Sequence, residues 1–401
     1  MEKYSFGLGD RFGMEGKAQL SAVAEINRMG FPVVPVWNKS NREHELTGTT
    51  QESVRKEADE AVKALGWTSG YYVDADHINL ATVDKFLTHS NFFTLDVAGS
   101  IGKTPESALK REFMEQYRES VGKRAPGYNL DQFANTYLVA IEEARKLYEY
   151  IRINNTEAFI SEVSMDEVAE AQSPMDLYLI LTELNRLGVQ VDTVAPKFTG
   201  LFPKGVDYEG DVARFTQEFE EDLLAVRKVS EETGRSIPIK LSVHSGSDKF
   251  SIYPVIGTLL SRLDSGIHVK TAGTTWLEEV IGMARGGSEG LRLAKEIYVQ
   301  GLARYDEMAG PYATVLHIDP SQLPPAGEVL TWKAERLVRT LTHDPSCREF
   351  NPHFRQLIHI SYRIAAEMGD EFTGALVHYR TSIEEHVYTN LLARHLKRIF
   401  F

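Results

Sequence analysis

Eight short apolar or alternating runs, most of them separated by helical patterns, constrain this 401-residue chain more than any other feature. The runs are Tyr4–Leu8, Pro32–Trp37, Gly70–Ala75, Phe92–Val97, Ala158–Val163, Val191–Ala195, Ile237–Val243 and Ile267–Thr271. Helical patterns fall between them over Gly16–Met29, Thr50–Leu65, Asn79–Lys85, Pro174–Leu187, Gly210–Thr233 and Ile252–Leu263. Strands that alternate with helices predict parallel βαβ units, and eight is the number that closes a TIM-like (β/α)8 barrel of the α/β class. An open doubly wound sheet competes, because it too buries parallel strands on both faces.

Residues 100–157 are too long for an ordinary crossover after the fourth strand, and they carry two helical patterns, Pro105–Val121 and Leu130–Ile153. Insertions of this size often form lids or active-site walls. The expected organisation is a barrel over residues 1–285 and a mainly helical C-terminal extension over 286–401 that packs on it. The extension shows one further apolar run, Tyr312–Ile318.

Composition narrows the function classes. With 42% hydrophobic residues the chain can bury a large core. Its 44 Lys+Arg against 57 Asp+Glu leave −13, and no basic run stands out, so nucleic acid is not an expected partner. The lone cysteine, Cys347, cannot make an intramolecular disulfide or a cysteine-rich zinc site. No apolar run reaches the ~18 residues of a membrane span, and the start shows no charged region leading into an apolar stretch. A cytoplasmic protein acting on a small molecule, with no membrane partner, is expected. Homo-oligomerisation is left open.

Ligands meet a parallel barrel at the C-terminal ends of its strands. On the seventh strand Lys240, Ser242 and His244 share one face, while Leu241 and Val243 share the other. If the apolar pair meets the helices, a polar stripe points into the barrel, where it needs partners or a ligand. An internal ion pair is the packing alternative. Asp74, Asp76 and His77 at the third strand could supply oxygen and nitrogen ligands to a divalent ion, or simply build an Asx turn. Glu162 ends an apolar strand and suits a ligand or an acid/base group, the alternative being a partner for Lys197 or Lys240.

Asp248 and Lys249 sit in a Gly/Ser loop and could hold a polar substrate. His317, on an apolar run, could be a further metal ligand or a hydrogen-bonded core residue. His353 and His359 carry weaker signals. Gly7, Gly9 and Gly13 have the wrong spacing for a dinucleotide fingerprint.

Blocks around these residues resemble the tagaturonate epimerase family. They are Val73-Asp74-Ala75-Asp76-His77-Ile78-Asn79, Lys240 through Phe250, and Thr271 through Glu279. Ala195 through Tyr208 and Gln356 through Gly369 are similar to the same family. The resemblance implies a metal-dependent isomerase that interconverts D-tagaturonate and D-fructuronate, with a fructose/tagatose ketohexose epimerase as the neighbouring activity. It implies one divalent ion (Zn, Mn, Ni or Co) on His77 and His244, and Asp76 and Glu162 as acid/base residues.

The two hexuronates differ at a hydroxyl-bearing carbon that is β to the ketone, so simple enolisation cannot invert it. Retro-aldol cleavage with rotation of the aldehyde, or direct deprotonation and reprotonation, remains. Lys197, Lys240 and Lys249 are expected to anchor the substrate carboxylate. Lys240 as a Schiff-base former is the metal-free alternative, and a non-catalytic sugar-acid binding protein is the alternative from another class.

Overall fold

The computed structural model describes residues 1–166, 168–271, 274–312 and 315–401. Eight strands close into one barrel in sequence order. They are β1 (Tyr4–Gly9), β2 (Val33–Ser40), β3 (Tyr72–Ile78), β4 (Phe92–Asp96), β5 (Ile160–Ser164), β6 (Thr193–Ala195), β7 (Lys240–His244) and β8 (Ile267–Lys270). The open-sheet alternative is thereby excluded. Ala272 and Gly273, in the block after β8, and Ala313 and Thr314, in the apolar run at 312–318, lie outside the described residues.

The register explains an interior that is polar where most barrels are filled by Val, Ile and Leu. Glu162 pairs with Thr94 on β4 and Thr193 on β6, and Thr193 pairs in turn with Lys240. These four residues form one row, while Leu95, Val163, Val194 and Leu241 of the alternate set are fully buried. At β1, Gly7 lacks a side chain because there is no room for one. A Cβ there would lie 3.0 Å from the Lys270 backbone and 3.2 Å from Asn38 Oδ1.

The chain divides into two compact units. The first comprises Met1, Ala75–Thr199 and Gln217–Val243. It contains the two helices that follow β4, Ser107–Arg124 and Leu130–Asn154. Phe113 stacks on Phe133 between them at 5.3 Å, and the Tyr117 hydroxyl donates to Glu183 at 2.9 Å. Before them the predicted helix from Asn79 shrinks to a 3-10 turn, Val83–Lys85. Asn79 Oδ1 accepts from the Ala81 amide and the Asn79 amide donates to Thr82 Oγ1, so side chains take up backbone groups a helix would use.

The second unit comprises Glu2–Asp74, Gly200–Thr216 and His244–Phe401. Its core helix, Thr274–Gly286, packs on Arg380–Thr389 so closely that a Cβ on Gly282 would fall 2.6 Å from Ile383 Cα. In the C-terminal region Ala326–Leu330 and Ala334–Leu341 are separate helices, and Pro352–Ile360 and Tyr362–Glu367 are separated at Ser361. An additional helix, Asp370–His378, follows. The last helix contains a π-helical stretch, Asn390–Leu396. Among the described residues no helix is long and apolar enough to cross a membrane.

Candidate functional site

At the end of β3, Asp74 is buried and paired with Lys270 of β8 at 2.8 Å. That pair answers what holds two charges inside the barrel, and it leaves Asp76 and His77 as the groups at the strand end. His77 has φ 49°, a left-handed conformation uncommon outside glycine, which turns its ring away from the ordinary strand direction. Its Nε2 lies 3.8 Å from Asp76 Oδ1 and its Nδ1 3.7 Å from Asp96 Oδ2. Carboxylates on both sides favour a ring that can bind a cation.

On β5, Glu162 is fully buried and accepts from the Thr193 hydroxyl at 2.7 Å and from that of Thr94 at 3.4 Å. Two residues further along, the alternation brings Ser164 to the same side, and Asp166 follows just past the strand end. Ser164 Oγ donates to Asp166 Oδ1 at 2.5 Å. Asp166 was not singled out in the sequence, because it lies beyond the apolar run in a turn rich in polar residues. Its signal was the continued two-residue spacing from Glu162.

His77, Asp166 and His244 each offer one ligand atom, and these atoms lie within 4.8 Å of one another. Two imidazoles and a carboxylate are the donor set of an open first-row divalent site, with positions left for substrate or water. His244 ends the polar face of β7. Lys240 lies four residues earlier, about 13 Å of strand below it, in the row of Thr193 and Glu162. Lys240 is thus an interior residue, only 4% exposed.

The loop after β7 binds the segment 203–206. Lys249 Nζ donates to the carbonyls of Pro203 at 3.0 Å and Val206 at 2.7 Å, and Ser247 Oγ accepts from the Gly205 amide at 2.9 Å. Burial pushes the Lys249 ammonium down to about 7. Asp248 is wholly buried against Arg355 (2.8 Å), His343 Nδ1 (3.0 Å) and His395 Nε2 (3.0 Å). Despite burial, which acts in the opposite direction, the Arg355 charge and the two imidazoles hold its carboxyl well below the usual range. Asp248 and Lys249, both expected to hold substrate, are therefore occupied within the protein.

Clamping 203–206 presents Lys204. Its Nζ lies beside Gly246, 3.6 Å from where a Cβ would be, and it has no carboxylate partner among the described residues. Next to Gly205 sits His359, 2% exposed, with neither ring nitrogen hydrogen-bonded. Arg11 donates to the His359 carbonyl at 2.9 Å and to Glu43 at 3.3 Å, and its guanidinium lies 3.9 Å from the centre of the Tyr362 ring. Burial first, then the charges of Arg11, Lys204, Arg355 and Lys249, keep the His359 imidazole well below its ordinary value and hence neutral.

The remaining expected residues are elsewhere occupied or more exposed. His317 is 38% exposed at its side chain and pairs with Glu209 through Nδ1 at 2.7 Å; it is not in the three-ligand group. His353 Nδ1 accepts from the Asp319 amide at 3.0 Å. Lys197 is half-buried, and its amide donates to Gln172 at 2.7 Å.

Comparison with known proteins gives the family of the chain. Residues 1–125 and 124–400 match the model of a family described as tagaturonate epimerase. A curated relative, the tagaturonate/fructuronate epimerase of Thermotoga maritima, is 31% identical over 415 residues, covering 98% of this chain and 79% of that one. A crystal structure of the fructuronate-tagaturonate epimerase of Cohnella laeviribosi with two glycerols superposes with a TM-score of 0.81. It is 27% identical and covers 99% of this chain and 81% of that one. The native crystal structure of the same enzyme gives 0.80 at 26% identity, with 99% and 81% covered. The chain belongs to the tagaturonate epimerase family.

Proposed function

We propose that this protein interconverts D-tagaturonate and D-fructuronate, using one divalent first-row metal held by His77, Asp166 and His244. The observation that carries the reading is the convergence of those three ligand atoms in a chain of this family. When bound, the metal would supply Lewis acidity for the negative charge that develops on the ketone side of the substrate.

The protein's own residues have three tasks. Lys204, with the neutral ring of His359 and the Glu43-paired Arg11 beside it, receives the substrate carboxylate, which matches a cation that has no carboxylate partner among the described residues. Asp76, at the strand end next to His77, takes the proton of the hydroxyl at the carbon to be inverted. Loss of that proton goes with cleavage of the adjacent carbon–carbon bond to an aldehyde and an enediolate; once the aldehyde has turned and the bond has re-formed, Asp76 returns the proton to the same oxygen. Glu162, in the row below, is held by two threonine hydroxyls and sets the interior on which Ser164 and Asp166 stand. The clamp made by Lys249, Ser247 and Arg355, whose Nε donates to the Gly205 carbonyl at 2.5 Å, keeps the 203–206 segment in place while substrate is bound.

A neutral ketose lacks the carboxylate that this corner fits. Turnover of D-fructuronate and D-fructose by the purified protein, followed by proton NMR, tests the reading. The uronate should react at least ~100-fold faster in kcat/KM, the order lost when a buried charge-assisted contact is absent. Equal rates on the two substrates would refute it.

A further inference from the structure

A second cavity, of about 780 Å³, lies wholly within the second unit and belongs to neither the ligand group nor the Lys204 corner. Four arginines line it: Arg285, Arg339, Arg394 and Arg398. Arg339 is paired with Glu349, but Arg285, Arg394 and Arg398 have no carboxylate partner among the described residues. Arg285 and Arg398 are exposed and Arg394 is half-buried, so in a chain whose acids outnumber its bases by 57 to 44 the three guanidiniums give this one cavity a positive field that favours an anion.

Their placement is built into the backbone. Arg394 and Arg398 both lie over the single ring of Phe250, at 4.7 and 4.4 Å from its centre, so two like charges are gathered at one phenyl group. Arg394 also donates to the His343 carbonyl. Asn390 and Arg394, four residues apart, lie on the same side of the π-helical stretch Asn390–Leu396, and π-bulges recur at functional sites. Asn390 is 1% exposed; its amide donates to Glu278 at 3.0 Å, while its Oδ1 has no partner.

Of the acids on the lining, Glu278 and Asp344 feel the charge of Arg394, though neither lies within ion-pair distance of it. Asp207 accepts from the amide and hydroxyl of Ser251, and Asp344 from those of Ser346. Glu278 is buried and pushed up to about 7 by desolvation. The two lining imidazoles, His343 and His386, are lowered by burial and add no fixed charge.

We propose that this cavity is a binding site for a small phosphate-bearing anion, distinct from the site of epimerisation. Planar guanidiniums match phosphate oxygens in bidentate pairs, and the cavity has the volume of a small-molecule site. A sugar phosphate and a nucleotide share the chemistry recognised here.

Calorimetric titration of the full chain with inorganic pyrophosphate tests the proposal. The expected result is saturable binding with a Kd below ~1 mM, weakened at least ~10-fold in R285A/R398A and unchanged in His244→Ala. The milder pair Arg285→Lys and Arg398→Lys keeps the charge and guards against misfolding; loss of the bidentate geometry should still weaken binding several-fold. Parallel titrations with ribose 5-phosphate and AMP distinguish the two sources by which binds more tightly. No binding at ~10 mM pyrophosphate, full binding in R285A/R398A, or loss of binding in His244→Ala would each overturn the assignment.

Discussion

Asp248 and His359 belong to the same unit and are equally hidden from solvent, but their surroundings differ completely. Asp248 meets Arg355, His343 and His395, so each of its oxygens has partners. His359 has no hydrogen bond on either ring nitrogen and sits among cations. A saturated buried charge holds architecture together, whereas a buried polar group left open marks a place where something else completes the set. Within the barrel the Lys270–Asp74 pair is likewise closed on itself, whereas His77, Asp166 and His244 bring their ligand atoms together at the strand ends.

The contrast can be broken by substitution. In the three-ligand group, His244→Ala or Asp166→Ala should lower kcat by ~1,000-fold or more and reduce bound metal, read together by steady-state kinetics and elemental analysis, with little change in the unfolding midpoint. At the saturated group the reverse is expected. Asp248→Ala leaves Arg355 as an uncompensated buried charge and should cost ~3–5 kcal/mol in urea unfolding, since one partner of a buried pair is removed. If Asp248→Ala instead kept its stability and only raised KM, the division between architecture and site would fail.

Smaller effects sharpen the comparison. Lys204→Ala should raise KM for the uronate ~10-fold while leaving kcat/KM for D-fructose nearly unchanged, because only the uronate has a carboxylate to lose. The pH dependence of stability reports on His359. Its folded value lies below that of the unfolded chain, so below about pH 6.5 the unfolded state takes up a proton that the native state does not. Stability therefore falls as the pH drops through that point. His359→Gln should reduce the drop in Tm between about pH 7.5 and pH 5.5; an unchanged drop would mean that other groups, His343 and His395 among them, carry it.

Much of the barrel was legible because strand periodicity and spacing are local properties. The polar face of β7 could be read from Lys240, Ser242 and His244 alone, and the third-strand block pointed to His77. What was not legible depends on register and on distant partners. Lys240 and His244 share a face, yet only the pairing with Thr193 shows that Lys240 lies deep in the barrel. Asp248 looked available in a Gly/Ser loop because Arg355, His343 and His395 arrive from 95 to 147 residues away. Lys204 and His359 acquire meaning only once Lys249 and Arg355 clamp the 203–206 segment. Asp166 was concealed by ordinary turn composition.

The central claim is that the group formed by His77, Asp166 and His244 holds a metal on which uronate epimerisation depends. A proton NMR time course of D-fructuronate with the purified protein, run as isolated, after EDTA, and after metal add-back, tests it most directly. D-tagaturonate should appear, its formation should stop with EDTA, and it should resume with a divalent first-row ion. Undiminished conversion by protein shown to be metal-free would contradict the account.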